Sequence, residues 1–96
     1  MTSQGVALVT GGAKRIGRAI ACDLASQGWS VGVHFHHSAD DANTVVAEIV
    51  AAGGKAVAIG ADLADPTATE ALIGQTIAAL GPVTALINNA SAFERD

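Results

Sequence analysis

Residues 10–17 read Thr10-Gly11-Gly12-Ala13-Lys14-Arg15-Ile16-Gly17, a glycine-rich turn between a short apolar run and a segment of helical period. This placement constrains the chain more than any other feature. Gly11 and Gly12 permit positive φ and let the backbone approach a ligand with no Cβ in the way. The free N–H groups at the start of the following helix, with its dipole, favour an anion there. Gly17 lets that helix lie close to the preceding strand. The segment reads as a strand, a turn and a helix start that hold the pyrophosphate of a dinucleotide. A merely tight β–α turn would carry the same glycines; the strand before and the helix after favour the ligand.

The remainder of the chain repeats the same alternation. Residues 6–9 form a fully buried strand, and Ile16, Ile20 and Leu24 recur at four-residue spacing along a helix that Gly28 stops. Residues 30–36 are a second strand. Ala42, Val45, Val46, Ile49 and Ala52 mark a second amphipathic helix, ended by Gly53-Gly54. Residues 56–59 are a third strand. Asp65 then caps a third helix with Pro66 in its first turn, where the missing N–H costs nothing. Its stripe is Leu72, Ile73, Ile77 and Leu80, Gly81-Pro82 ends it, and residues 83–87 give a fourth strand. The fold class is therefore α/β: a Rossmann-type doubly wound parallel sheet, βαβαβαβ, of order 3-2-1-4. Its ligand crevice lies at the carboxyl ends of strands 1 and 4. The sequence stops about one turn after strand 4, which would leave that strand as an unpaired edge.

Composition narrows the setting. Half of the 96 residues are apolar and 15% are charged, which excludes a disordered chain. A net charge of −4 with no basic stripe argues against a nucleic-acid partner. Cys22 is the sole cysteine, so no internal disulfide forms, which fits a reducing compartment. It sits opposite the Ile16–Ile20–Leu24 stripe and reads as an inert helix residue. No run approaches the ~20 apolar residues needed to span a bilayer. The expectation is a soluble cytoplasmic protein with no membrane partner.

The turn resembles that of the short-chain dehydrogenase/reductase family, with Arg15 where most members carry the middle glycine. Lys14-Arg15 at this point resembles the pteridine reductase branch. So do His34-Phe35-His36-His37-Ser38 after strand 2, Asp62-Leu63 after strand 3 and Asn88-Asn89-Ala90-Ser91-Ala92-Phe93 after strand 4. The likeness covers all 96 residues as the N-terminal portion of a family member. It implies an oxidoreductase that reduces a C=O or C=N group by hydride transfer from NADPH, a pterin or dihydrofolate being the branch's substrate. It also implies a homo-oligomer, a tetramer in the family. By the resemblance, Gly11, Lys14, Arg15 and Ile16 bind the cofactor from the turn. Asp62 and Leu63 bind its adenine end, and Asn89 and Ala90 line its nicotinamide side. Ser91 and Phe93 touch the substrate, the Phe93 ring stacking on it; alternatively Phe93 packs as an ordinary apolar residue.

The end of strand 2 selects between the two nicotinamide dinucleotides. An NAD site places a carboxylate there to accept from the ribose hydroxyls. This chain has His36, His37 and Ser38 instead, with the first acids at Asp40 and Asp41. Arg15, a hydroxyl and imidazoles donate to a 2′-phosphate that a carboxylate would repel. The expected cofactor is NADP(H). His37 departs from the Arg often found in the branch, which weakens the preference and makes it more pH-dependent. Each of these residues also has a plainer reading: Ser38 with Asp41 is a helix capping box, the histidines are solvated, and Asp62 is a loop acid capping a backbone N–H. No metal site is expected, because adjacent side chains on a strand end point to opposite faces.

Reduction also needs a proton donor. In the family this is a Tyr, with a Lys four residues later. The chain has no Tyr, and its lysines are Lys14 and Lys55. No catalytic residue is assigned, the catalytic half is taken as absent, and the chain alone is expected to hold a cofactor without turning over substrate. A non-catalytic dinucleotide-binding module is the alternative.

Overall fold

The computed structural model describes residues 4–89, so Ala90, Ser91 and Phe93 lie outside the described residues. The chain runs β1 (Gly5–Thr10), α1 (Arg15–Ser26), β2 (Trp29–Phe35), α2 (Ala39–Ala51), β3 (Ala56–Gly60), α3 (Pro66–Leu80) and β4 (Val83–Asn88). The four strands form one parallel sheet of order β3-β2-β1-β4, as expected. Strand-to-strand steps go one way from β1 to β3 and then jump back across β1 to β4. That reversal opens the crevice at the carboxyl ends of β1 and β4.

Alternation along the strands divides the core between the two faces. Val9, Val31 and Val33 pack with Ala21 of α1 and with Ala42, Val45 and Ile49 of α2. Leu8 and Ile59 pack on the other side with Leu72 of α3. β1 lies between neighbours on both sides and under helices on both faces, so Ala7, Leu8 and Val9 are all fully buried. On β4 the pattern alternates between half-buried and exposed, and Leu86 is 58% exposed. Beside it runs a groove of about 190 Å³, lined by Leu8, Leu63, Leu72, Ile73, Leu86, Thr10, Thr69 and Asn88.

Two helices are rotated relative to the expected stripes. On α1 the buried residues are Gly17 and Ala21. Ile20 and Leu24 are only partly buried, and Ile16 is 68% exposed. The smallest residues occupy the line of closest approach, because there the helix backbone nearly touches the glycine turn. Cys22 consequently packs half-buried against the core rather than facing away from it. On α3 the buried pair is Leu72 and Thr76, while Ile73 and Ile77 remain 40% and 44% exposed. Thr76 fits where it does because Gly32 lies beneath it; a Cβ on Gly32 would sit 3.0 Å from the Thr76 methyl. The Thr76 hydroxyl is satisfied by donating to the Leu72 carbonyl at 2.8 Å.

The helix ends divide in the same way. Asp65 caps α3, its Oδ1 accepting from the Thr67 N–H at 2.9 Å, and Gly81 closes it at φ 106°. Ser38 stands at the N-cap of α2 but its side chain makes no cap hydrogen bond, so the Ser38–Asp41 capping box is not formed. Only its carbonyl takes part, accepting from the Ala42 N–H at 3.0 Å.

Candidate functional site

The glycine turn leaves β1 at Thr10 and enters α1 at Arg15, and its backbone is bound on three sides. The Gly11 N–H donates to Nδ1 of His34 at 2.9 Å. The Gly12 N–H donates to the His34 carbonyl at 2.9 Å. From β4, the Asn89 side-chain amide donates to the Gly11 carbonyl at 3.1 Å. Thr10 supports that last contact, its hydroxyl accepting from the Asn89 N–H at 3.0 Å and lying 3.3 Å from Asn88 Oδ1.

Each glycine has a different task. Gly11 takes φ 62°, which costs glycine nothing. Gly12, which could take a positive φ, does not. It is needed for space, since a Cβ there would lie 3.1 Å from the Val9 carbonyl and 3.3 Å from the Val33 side chain. A Cβ on Gly17 would collide with the Gly11 carbonyl and stand 2.7 Å from Asn89 Nδ2. The second left-handed position falls on Arg15, at φ 55°, where no glycine is present. A bulky residue held there carries backbone strain, of the kind that collects at ligand clamps.

The start of α1 is open to an anion. Lys14 is its N-cap, makes no side-chain cap hydrogen bond, and no acid lies in the first turn. The first N–H groups of a helix have no intrahelical acceptor. Around this end stand the residues proposed for the phosphates. Arg15 and Ile16 are exposed at the helix start. Lys14 Nζ lies 3.4 Å from Asp41 on α2, in a pair about half exposed. Ser38, uncommitted to a cap, sits at the head of α2.

His36 and His37 lie in a bend beyond the end of β2. Their rings do not point to opposite faces, as strand alternation would require; the centroids are 3.8 Å apart. The alternation rule lapses because Phe35 is the last strand residue. His36 Nε2 approaches Asp62 Oδ1 to 4.0 Å, so the loops after β2 and β3 meet. The same Asp62 oxygen accepts from the Ala64 N–H at 2.9 Å, which realises the loop-capping alternative. The Leu63 side chain packs on Leu8, Ile59 and Leu72. Gly11, Lys14, Arg15, Ile16, His36, His37, Ser38, Asp62 and Asn89 thus gather at one end of the sheet. Leu63 turns inward from the same end. No group of three or more metal-capable side chains occurs among the described residues.

His34 was not marked as functional from sequence. It is 2% exposed in a strand otherwise made of apolar residues and glycine over positions 31–33. Its Nε2 faces the Ala61 carbonyl at 2.8 Å. A lone polar residue at the end of an apolar strand, opposite a glycine turn, is the signal that would have found it. Away from the site, Arg18 of α1 clasps Glu48 of α2 at 2.6 Å. The hydrogen bond to Glu48 and its charge raise the Arg18 pKa further above its ordinary value.

The family described as short chain dehydrogenase matches residues 5–96. The 3-oxoacyl-[acyl-carrier-protein] reductase of Synechocystis sp. is 42% identical over 90 residues, which are 94% of this chain and 36% of that protein. A crystal structure of a dehydrogenase/reductase from Sinorhizobium meliloti 1021 superimposes with a TM-score of 0.90 at 44% identity, over 94% of this chain and 36% of that one. FolM alternative dihydrofolate reductase 1 from Brucella canis, crystallised in complex with NADP, gives a TM-score of 0.90 at 41% identity, over 100% of this chain and 38% of that one. The chain spans about a third of the length of the curated relatives it matches.

Proposed function

We propose, from the premise that the chain belongs to the short chain dehydrogenase family, that residues 1–96 are the NADP(H)-binding portion of a reductase acting on a C=O or C=N group. The observation that carries this reading is the turn itself. Its glycines let β1, the turn and α1 close on one another, Gly12 against Val9 and Val33 and Gly17 against Gly11, and this sets the uncapped start of α1, with Lys14 and Arg15, at the carboxyl end of β1.

The residues present fit the cofactor. Gly11 carries the turn against the pyrophosphate, the N–H groups beyond Gly12, through Ile16, take it, and Arg15, His36, His37 and Ser38 donate to the 2′-phosphate. Lys14 adds charge at the same rim. Asp62 and Leu63 bound the adenine, and Asn89 and Ala90 the nicotinamide side. When bound, the cofactor supplies the hydride. The chain has no tyrosine to supply the proton, so by itself it binds and does not reduce. In the whole protein we propose a pterin or dihydrofolate as substrate, gripped by Ser91 and Phe93, and assembly into a homo-oligomer. The NADP complex of the dihydrofolate reductase from Brucella canis supports the cofactor and the substrate class together. Relatives named for 3-oxoacyl reduction are as similar over this portion, so the substrate rests on Ser91 and Phe93.

Fluorescence titration of the 96-residue chain with each reduced dinucleotide tests the cofactor. A charge-assisted pair to the 2′-phosphate corresponds to binding of NADPH about tenfold tighter than NADH. Equal affinities would remove the 2′-phosphate site from the account.

A further inference from the structure

We infer that His34 is the positioning residue of the dinucleotide turn, a neutral strut that fixes the Gly11 amide and so aims the start of α1 at the ligand. The proposal concerns the apo turn first; its cofactor arm rests on the NADP(H) reading above.

The geometry assigns both ring nitrogens. The Gly11 amide can only donate, so Nδ1, 2.9 Å away, carries a lone pair. The Ala61 carbonyl can only accept, so Nε2, 2.8 Å away, carries the proton. This is the neutral Nε2–H form, fixed by its partners. The ring therefore links three elements at the crevice end: the turn after β1, the end of β2, and the loop after β3. The carbonyl of the same residue holds Gly12, so two consecutive amides of the turn are bound by one residue of β2. With Asn89 on the Gly11 carbonyl, neither polar group of the Gly11 backbone is left to swing toward solvent. The N–H groups that remain for an anion are those farther on, at the start of α1. His34 is buried, so it acts through the turn and does not itself touch a ligand.

Two substitutions separate the two bonds. In His34→Asn the side-chain oxygen stands where Nδ1 stands and keeps the Gly11 bond, while the Ala61 bond is lost. In His34→Gln the longer amide reaches Ala61 and leaves Gly11 unpaired. Each variant loses one bond of similar kind, so a merely structural role predicts equal losses of NADPH affinity in the two, whatever the exchange at Gly11 itself.

The test is amide hydrogen exchange of Gly11 in the ¹⁵N-labelled chain without cofactor, paired with NADPH titration. Slow Gly11 exchange is expected in the unsubstituted chain and in His34→Asn, and exchange at least about tenfold faster in His34→Gln, one lost hydrogen bond being worth about a factor of ten. NADPH affinity should follow the same order. Equal exchange in the two variants, or protection retained in His34→Gln, overturns the inference. If the unsubstituted chain fails to bind NADPH, the cofactor reading fails and the exchange result still decides the role of His34. Should either variant fail to fold, the proton–nitrogen correlation spectrum of the unsubstituted imidazole decides. A lone pair on Nδ1 with a proton on Nε2 supports the inference, and a proton on Nδ1 refutes it.

Discussion

Gly17 and Gly74 both lie within helices, α1 and α3, yet replacing them with alanine should move stability in opposite directions. The propensity gain is the same in kind, up to about 1 kcal/mol for Gly to Ala. Around Gly74 nothing lies within 4 Å of an added Cβ, so Gly74→Ala should stabilise the chain by about 0.5–1 kcal/mol. At Gly17 the added carbon meets the Gly11 carbonyl and comes within 2.7 Å of Asn89 Nδ2. Relieving that contact displaces the turn, which breaks the Asn89 bond to Gly11 and loosens the His34 bond to its amide. Those two bonds are worth about 1 kcal/mol each, and overpacking against backbone adds about 1–3 kcal/mol. After the propensity gain, Gly17→Ala should destabilise by about 2–4 kcal/mol. In a domain near 100 residues that lowers Tm on the order of 10–30 °C. Urea unfolding followed by the single Trp29 measures both variants. A Gly17→Ala chain as stable as the unsubstituted one, or stabilised like Gly74→Ala, would refute the packing argument for the turn.

Arg15→Gly should raise stability by about 1 kcal/mol by relieving a left-handed non-glycine residue, while weakening NADPH about tenfold through the lost charge; urea midpoints and titrations read the two separately. Asp41→Asn releases Lys14 from its exposed pair and should tighten NADPH about two- to fivefold. NADH affinity, measured by the same titration, should stay unchanged in that variant. Asp65→Ala removes a formed cap and should cost about 1 kcal/mol. Ser38→Ala removes none and should change the urea midpoint little, while reducing NADPH affinity.

Much of this was legible because the signals were local. Turn glycines, the Asp65-Pro66 helix start and the short apolar strands each speak through their immediate neighbours, and long connections restrict the strand order. Helix rotation was not legible. The spacing of Ile16, Ile20 and Leu24 counts hydrophobicity, whereas the sheet accepts α1 along Gly17 and Ala21, where lack of bulk permits contact. For the same reason Thr76 displaced Ile73 and Ile77 from the α3 interface, since its small methyl fits over Gly32. The left-handed turn of Arg15 was not legible either, because positive φ depends on the path of the whole turn and not on residue type alone. Within the histidine run, residue type alone does not separate His34 from His36 and His37. Only the register of β1 against β2, with Val9 opposite Val33, sets the His34 ring across from Gly11.

The most direct test of the central claim is backbone amide shift mapping of the labelled chain with oxidised NADP and, separately, NAD. The largest shifts are expected with NADP at residues 11–17 and 36–38, with those at 36–38 shrinking with NAD. Perturbations centred on the β4 groove instead, or identical maps for the two dinucleotides, would contradict that claim.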